Sequence, residues 1–260
     1  MKAGLNLYSI RNKIGTEEDF LTTAQKLKDM GYDYLQYSGA TFDAERITRV
    51  TERVGIPVNL THVAQSRIID DPLKLMEEHA KFGCNYIGLG CISPADIVDE
   101  KKTKDIIDKL NRSAERMQKS GFQFFYHHHQ FDFYRYESGD TPFDYMVKNA
   151  PYIHFIMDTY WLQMGGMDIA AKMRSVAGRM ECVHLKDWKN TYTVKEGAPH
   201  PDFHPVFTSV GDGTFDFKAI KKVAEECGAK YFYVEQDNAA DAPDPFEPVK
   251  RSITYLKNNL

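Results

Sequence analysis

Short apolar runs alternate with longer amphipathic stretches from one end of the chain to the other. The apolar runs predict eight strands, at Gly4 to Ser9, Tyr34 to Tyr37, Pro57 to Thr61, Tyr86 to Leu89, Gln123 to His127, Ile153 to Asp158, Glu181 to His184 and Tyr231 to Glu235. The amphipathic stretches predict eight helices, at Glu17 to Met30, Ala44 to Val54, Pro72 to Phe82, Lys102 to Ser120, Phe143 to Lys148, Asp168 to Val176, Phe217 to Glu226 and Pro248 to Leu260.

This alternation is typical of βαβ units and predicts a parallel sheet. Eight such units in 260 residues match a (β/α)8 TIM barrel that forms a single domain over residues 1–260. A doubly wound open sheet usually has fewer strands and a glycine-rich turn after the first one. The segment SIRNKIG, which follows the first predicted strand, is not such a turn.

One segment, Lys189 to Val210, is unusually long and rich in proline and histidine. It follows the seventh predicted strand and is therefore expected at the carboxyl face of the barrel. Long loops there often close over a substrate, but an idle surface loop is an equal alternative.

Composition and charge narrow the class of protein. A chain with 42% hydrophobic and 27% charged residues fits one globular domain with a sizeable core. A net charge of -4 gives no general attraction to nucleic acid, and no apolar stretch approaches the roughly 20 residues of a membrane span. We therefore expect a cytoplasmic protein that binds neither nucleic acid nor a membrane. The pattern leaves open whether the chain forms a homo-oligomer. The four cysteines lack CxxC spacing, which predicts free thiols.

Three apolar runs end in a polar residue that can bind a metal: Asp158, His184 and Glu235. In a parallel barrel the carboxyl ends of all strands open on one face, so these side chains can converge. Two carboxylates and an imidazole suit one divalent ion, Mn²⁺, Co²⁺, Mg²⁺, Fe²⁺ or Zn²⁺. Singly, each has another interpretation: Asp158 as a helix cap, His184 as a core histidine and Glu235 as a rim charge.

The fifth predicted strand ends in three histidines, within FFYHHHQFDF. Alternation along a strand places His127 and His129 on one face and His128 on the other. We favour His127 as the fourth metal ligand, and His129 and Asp132 are the alternatives.

Further polar residues near strand ends are candidates for catalysis. His62 is a candidate for proton transfer near neutral pH, or a hydrogen-bond spacer. Lys186 shares a strand face with His184 and can neutralise a developing oxyanion. Glu235 is a second candidate base.

Aromatic and cationic residues near the same ends are candidates for contacts with substrate. Tyr8 and Arg11 follow the first strand, and His129 follows the fifth. Trp161 and Trp188 follow ligand-bearing strands, where indole rings either pack on sugar rings or cover the barrel rim.

Several segments together resemble the xylose isomerase-like TIM-barrel superfamily, in its sugar phosphate isomerase/epimerase branch: LNLYSIR, MGYDYLQYSG, NLTHV, FFYHHHQFDF, MDTYW, VHLKDW, VGDGTFDF and VEQD. The resemblance covers essentially the whole chain. It implies a single catalytic divalent metal ion held at the strand ends, with Asp158, His184 and Glu235 as ligands. It further implies an isomerase or epimerase that acts on a keto-sugar or sugar phosphate through a metal-stabilised enediolate.

One departure from that family favours other reactions. Its epimerases and isomerases usually have a glutamate on the fifth strand, where this chain has His127, so the pair of carboxylates that moves a proton is incomplete. The YHHH segment resembles inosose dehydratase, which implies a lyase, dehydratase or hydratase as the alternative. A non-catalytic carbohydrate-binding barrel is a more distant one. An endonuclease IV-like enzyme would need more ligands and a basic surface.

Overall fold

The fold, in a computed structural model that describes residues 1–260, is built around a closed barrel of eight parallel strands. The barrel strands are β1 (Gly4–Asn6), β2 (Tyr34–Tyr37), β3 (Val58–His62), β4 (Tyr86–Leu89), β5 (Gln123–His127), β6 (Ile153–Asp158), β7 (Cys182–Leu185) and β10 (Tyr231–Val234). Their order around the barrel is β1-β10-β7-β6-β5-β4-β3-β2. The predicted (β/α)8 TIM barrel is confirmed.

Helices surround the barrel and connect its strands. They are α1 (Glu17–Met30), α2 (Ala44–Val54), α3 (Gln65–Asp70), α4 (Pro72–Ala80), α5 (Pro94–Ile97), α6 (Glu100–Lys119), α7 (Pro142–Asn149), α8 (Thr159–Met164), α9 (Ile169–Ser175), α10 (Phe217–Glu226) and α11 (Phe246–Asn259). Three 3-10 helices follow β1, β5 and β10, at Leu7–Lys13, Gln130–Phe133 and Asp237–Asp241.

Helix α1 illustrates how the sequence sets these boundaries. Thr16 accepts the backbone N–H of Asp19, and Asp19 accepts the backbone N–H of Thr16, which forms a capping box. The helix ends at Gly31, whose φ of 101° is the left-handed conformation that glycine adopts without steric cost. Between these ends, Phe20 and Leu27 are buried against the barrel core.

Two apolar clusters stabilise the fold. The larger contains 53 buried residues and includes the helix faces that pack on the outside of the sheet. The smaller consists of six strand residues: Tyr34, Leu60, Phe125, Ile156, Cys182 and Tyr233. We call these six the interior cluster, because each comes from a different barrel strand.

The first strand is shorter than predicted. The prediction of a strand from Gly4 to Ser9 is wrong at its end, because β1 stops at Asn6 and a 3-10 helix begins at Leu7. The side chain of Asn6 accepts the backbone N–H of Tyr8 and so caps this helix.

The segment predicted as a long loop is a β-hairpin. Strands β8 (Asp187–Thr193) and β9 (Asp202–Thr208) pair antiparallel, from Asp187 opposite Thr208 to Thr193 opposite Asp202. Trp188 lies opposite Phe207 in this register, and such cross-strand aromatic pairs stabilise hairpins.

Among the helices, none has both the length and the apolar character needed to cross a membrane.

Candidate metal centre

The candidate site is the layer of inward-facing side chains directly above the interior cluster. Side chains two residues apart on a strand face the same way. Adding two to each residue number of the interior cluster gives six polar residues: Gln36, His62, His127, Asp158, His184 and Glu235. Two of them are paired positions on neighbouring strands, since Asp158 lies opposite His184. The predicted convergence of strand ends therefore occurs.

Four of these residues form a buried cluster with the ligand types of a metal site. Ligand atoms from His127, Asp158, His184 and Glu235 all lie within 4.8 Å of one another. His184 Nδ1 is 2.6 Å from Glu235 Oε2 and 3.8 Å from Asp158 Oδ2. His127 Nε2 is 3.4 Å from Asp158 Oδ2 and 3.9 Å from Glu235 Oε2. The group is the set of four ligands predicted from the sequence.

The outer nitrogens of the two histidines bind acceptor oxygens. His127 Nδ1 donates to the backbone carbonyl of Gly90 at 3.0 Å, and His184 Nε2 donates to Gln36 Oε1 at 2.6 Å. In neutral imidazoles, the inner nitrogens then present lone pairs toward the carboxylates. Metal-binding histidines are usually held by such outer contacts.

The inner contacts are unsatisfied without a cation. His184 Nδ1 and Glu235 Oε2 are both buried without a hydrogen-bond partner, although they lie 2.6 Å apart. Burial lowers the pKa of His184 despite the nearby Glu235, and this favours the neutral ring. A lone pair that faces a carboxylate is unfavourable, and a divalent cation between them would remove the conflict. The residues present therefore fit a divalent metal.

Asp158 uses its two carboxylate oxygens differently. Oδ1 accepts the backbone N–H of Trp161 at 2.8 Å and caps α8, while Oδ2 faces His127 and His184. The cap and ligand interpretations of Asp158 are thus compatible. The backbone N–H of Asp158 donates to His128 Nε2 at 3.1 Å, so His128 faces away from the cluster, as strand alternation predicted.

Lys186 is buried beside the cluster. Its Nζ is 2.8 Å from Asp237 Oδ1, 3.8 Å from Glu235 Oε2 and 4.0 Å from Asp158 Oδ2. Burial alone would lower the pKa of Lys186, but Glu235, Asp158 and Asp237 raise it, which keeps the ammonium charged. Burial acts to raise the pKa of Glu235, yet Lys186 and His184 hold it well below its usual range.

His62 lies at the edge of the cluster. Its ring centroid is 5.5 Å from that of His127 and 5.9 Å from that of His184. Its Nε2 contacts Gln36 Nε2 at 2.8 Å, and its Nδ1 lies 3.3 Å from Ser38 Oγ. Burial, aided by His127 and His184, holds the pKa of His62 well below its usual value.

The two alternative fourth ligands lie outside the cluster. Asp132 accepts the backbone N–H of His129 at 2.7 Å and the hydroxyl of Tyr126 at 2.8 Å, and burial raises its pKa to about 7. The His129 ring lies 4.7 Å from that of His127, beside the pocket rather than among the four ligand atoms.

A pocket of about 240 Å³ opens beside the cluster. Its lining includes several of the predicted site residues: Tyr8, His62, His127, His129, Lys186 and Glu235. Trp161 approaches from the side, with the Lys186 Nζ 4.7 Å from its ring centroid. Three predicted substrate contacts, Arg11, Trp161 and Trp188, are not part of the lining. Arg11 donates to the backbone carbonyls of Tyr8 and Asp237, and Trp188 packs near Tyr160 and Phe215.

The pocket also contains residues that the sequence analysis did not select. Ser38, Cys91 and Asp237 line it, and Gln36 lies between His62 of the lining and His184 of the cluster. The sequence pattern does mark Gln36 as unusual, since a glutamine inside the strand YLQY is a polar residue at a buried position. Nothing in the sequence marks Cys91 as part of a site, because it follows a strand in a segment without a motif.

Fold and site together define a (β/α)8 barrel with a candidate metal centre at the carboxyl ends of its strands. The chain belongs to the xylose isomerase-like TIM barrel family, whose model matches residues 24–259. The family predicted from the sequence motifs is therefore confirmed.

An inosose dehydratase from Clostridium perfringens is 26% identical in an alignment of 168 residues that covers 62% of this chain and 56% of that relative. The match thus spans little more than half of the relative's length. A sugar phosphate isomerase/epimerase from Parabacteroides distasonis has a TM-score of 0.79 and 22% identity, over 99% of this chain and 94% of that one. A xylose isomerase-like TIM barrel protein from Mycobacterium smegmatis, solved in complex with magnesium, has a TM-score of 0.67 and 14% identity. That similarity covers 99% of this chain and 95% of that one. These two structural similarities support the fold alone.

Proposed function

We propose that this chain is a metal-dependent sugar isomerase or epimerase that removes a proton next to a carbonyl group. The observation that carries the proposal is the buried cluster of two imidazoles and two carboxylates at the floor of a small polar pocket. His127, Asp158, His184 and Glu235 would hold one divalent ion. When bound, that ion supplies Lewis-acid polarisation of the substrate carbonyl.

The residues around the ion would handle charge and protons. Glu235 accepts the substrate proton, since its depressed pKa keeps it ionised before the substrate enters. Lys186 holds a positive charge within 4.0 Å of Asp158 and 3.8 Å of Glu235, where it stabilises the oxyanion of the enediolate. Asp237, 2.8 Å from Lys186, fixes the position of that ammonium group.

We further propose that the substrate is an uncharged keto-sugar rather than a sugar phosphate. Lys186 is the only lysine or arginine in the pocket lining, and Asp237 already binds it. The turn at Gly211 to Gly213 is no phosphate cradle, because the N–H groups of Gly211 and Gly213 donate to Asp187 at 3.0 Å. A dianionic phosphate would thus meet the carboxylates of Glu235 and Asp237, with Lys186 as the one lysine or arginine in the lining. A volume of about 240 Å³ suits one sugar ring.

Elimination of water is the second candidate reaction. The 26% identity to an inosose dehydratase favours it, and so does His127 at the position where a second carboxylate would complete an epimerase pair. Dehydration needs a base and a proton for the leaving hydroxyl group. Glu235 would supply both by passing on the proton that it accepts, while the neutral His62 ring would donate a hydrogen bond.

The experiment incubates the metal-loaded protein with ketoses, keto-inositols and their phosphates in D₂O and follows them by mass spectrometry. Deuterium uptake without any other change of composition supports an isomerase or epimerase. Loss of water instead supports the dehydratase, and reaction of the phosphates alone overturns the proposed substrate class. Binding of a sugar without exchange or water loss overturns the enzyme proposal and supports a carbohydrate-binding barrel.

A further inference from the structure

Gln36 bridges two imidazoles of the site without touching the candidate ion position itself. Its Oε1 lies 2.6 Å from His184 Nε2, and its Nε2 lies 2.8 Å from His62 Nε2. The side chain is fully buried on β2. We infer that Gln36 is a positioning residue that fixes the tautomers of His184 and His62 together. The inference rests on the proposed metal site.

The coupling follows from the chemistry of the amide group. An amide has one acceptor end and one donor end, so its two neighbours must offer opposite groups. His184 can bind a metal through Nδ1 only if its proton is on Nε2, and that proton needs an acceptor. Gln36 must therefore turn its oxygen to His184 and its NH₂ group to His62.

The reverse orientation would disable the site. If the NH₂ group faced His184, the Nε2 of that ring would have to accept, and its proton would move to Nδ1. That nitrogen is the one 2.6 Å from Glu235 Oε2 and the one that belongs to the four-residue cluster. A protonated Nδ1 is no longer a metal ligand.

The same orientation decides what His62 can do. Its Nε2 accepts from Gln36, so the neutral ring carries its proton on Nδ1. Nδ1 lies 3.3 Å from Ser38 Oγ, and both residues line the pocket. His62 therefore directs its N–H toward Ser38 Oγ at the wall of the pocket. This makes the neutral ring a hydrogen-bond donor rather than the base considered from the sequence, and leaves Glu235 as the base.

Two substitutions separate the two contacts. Gln36→Leu removes the acceptor for His184, and loss of such an outer contact typically weakens metal binding about 10- to 100-fold. Gln36→Glu keeps an acceptor for His184 but offers His62 a second acceptor in place of a donor. It should therefore preserve metal affinity far better than Gln36→Leu and move the His62 proton from Nδ1 to Nε2.

Gln123→Leu is the matched control. Gln123 is also a glutamine beside a histidine, since its Nε2 lies 2.7 Å from the His154 ring, but it stands at the opposite end of β5 from His127. We expect its variant to bind zinc as the wild type does, with unchanged tautomers of His62 and His184.

The test combines zinc titration against a chromophoric chelator with ¹⁵N NMR of the histidine rings of the zinc-loaded protein. The expected wild-type spectrum has Nε2–H on His184 and Nδ1–H on His62. Wild-type zinc affinity in Gln36→Leu, or an unmoved His62 proton in Gln36→Glu, overturns the inference. If Gln36→Leu does not fold, the NMR result for Gln36→Glu decides alone. A wild type that binds none of Zn²⁺, Mn²⁺, Co²⁺, Mg²⁺ and Fe²⁺ overturns the proposed metal site as well, which distinguishes that failure from the failure of the inference.

Discussion

Asp158 accepts the backbone N–H of Trp161 through Oδ1 and points Oδ2 at the candidate metal position. One carboxylate thus starts helix α8 and contributes to the site. Helix starts prefer aspartate and asparagine, and strand ends of this barrel face the site, so the two roles meet at the last residue of β6.

This dual role predicts that stability and metal binding at Asp158 can be separated. Asp158→Asn keeps a good cap but loses a charged ligand, whereas Asp158→Ala loses both. In the metal-free protein we expect the alanine variant to unfold more easily than the asparagine variant by about 1 kcal/mol. Both should bind metal more weakly than the wild type. Urea unfolding and metal titration measure the two effects.

The cap of α9 provides the control for that prediction. Asp168 accepts the backbone N–H of Ala171 at 2.6 Å but lies outside the cluster. Asp168→Ala should show a similar loss of stability with unchanged metal affinity. An Asp158→Asn protein that binds metal like the wild type would remove Asp158 from the ligand set.

Glu235→Gln should abolish turnover while the protein stays folded. The substitution removes a ligand charge and the proposed base in one step, and loss of a general base alone typically costs about 100-fold or more in rate. The assay is turnover of whichever sugar the D₂O experiment identifies. Glu181→Gln is the control, because Glu181 also pairs with a histidine, His154 at 2.8 Å, but outside the candidate site. Normal turnover in metal-bound Glu235→Gln would rule out the role of Glu235.

His79 should make stability depend on pH. It is fully buried between Thr61 Oγ1 and the Leu75 carbonyl, and burial lowers its pKa to about 4 from an ordinary 6.5. Because the pKa of His79 is lower in the folded than in the unfolded protein, neutral His79 contributes to the free energy of unfolding. This contribution is complete above pH 6.5 and is lost as the pH falls toward 4, since the unfolded chain takes up the proton first. In all, it amounts to roughly 3 kcal/mol.

The measurement is the free energy of unfolding of wild type and His79→Gln between pH 7 and pH 4. The other buried histidines are present in both proteins, so their contributions cancel in the difference. We expect the wild type to lose stability faster as the pH falls, by up to about 1.4 kcal/mol per pH unit. Parallel curves would contradict this origin of the pH dependence.

Gly213→Ala should destabilise the turn that Asp187 holds. A Cβ at Gly213 would overlap Asp187 Oδ1 and the carbonyl oxygen of Trp188, so this turn or the hairpin base must shift. Overpacking of this kind costs about 1–3 kcal/mol. Gly15→Ala is the control, since a Cβ there meets nothing within 4 Å. Equal unfolding midpoints for the two variants would contradict the prediction.

The sequence predicted the parts of the site that depend on strand alternation. Asp158, His184 and Glu235 could be placed together because each ends an apolar run, and a closed parallel barrel brings such ends to one face. The role of Gln36 could not be predicted, because it depends on which ring nitrogens face its two amide atoms. The hairpin at Asp187–Thr193 and Asp202–Thr208 was missed since proline and histidine obscured its alternation.

The proposed function depends on one divalent metal ion that His127, Asp158, His184 and Glu235 would hold together. To test this, the wild type and the double variant Asp158→Asn, Glu235→Gln are each incubated with Mn²⁺, Co²⁺, Mg²⁺, Fe²⁺ or Zn²⁺ and then dialysed. Elemental analysis by mass spectrometry then measures the metal that each protein retains. We expect one ion per wild-type chain for at least one of these metals and a large loss in the double variant. A wild-type chain that retains none of them, or a double variant that retains as much, would contradict it.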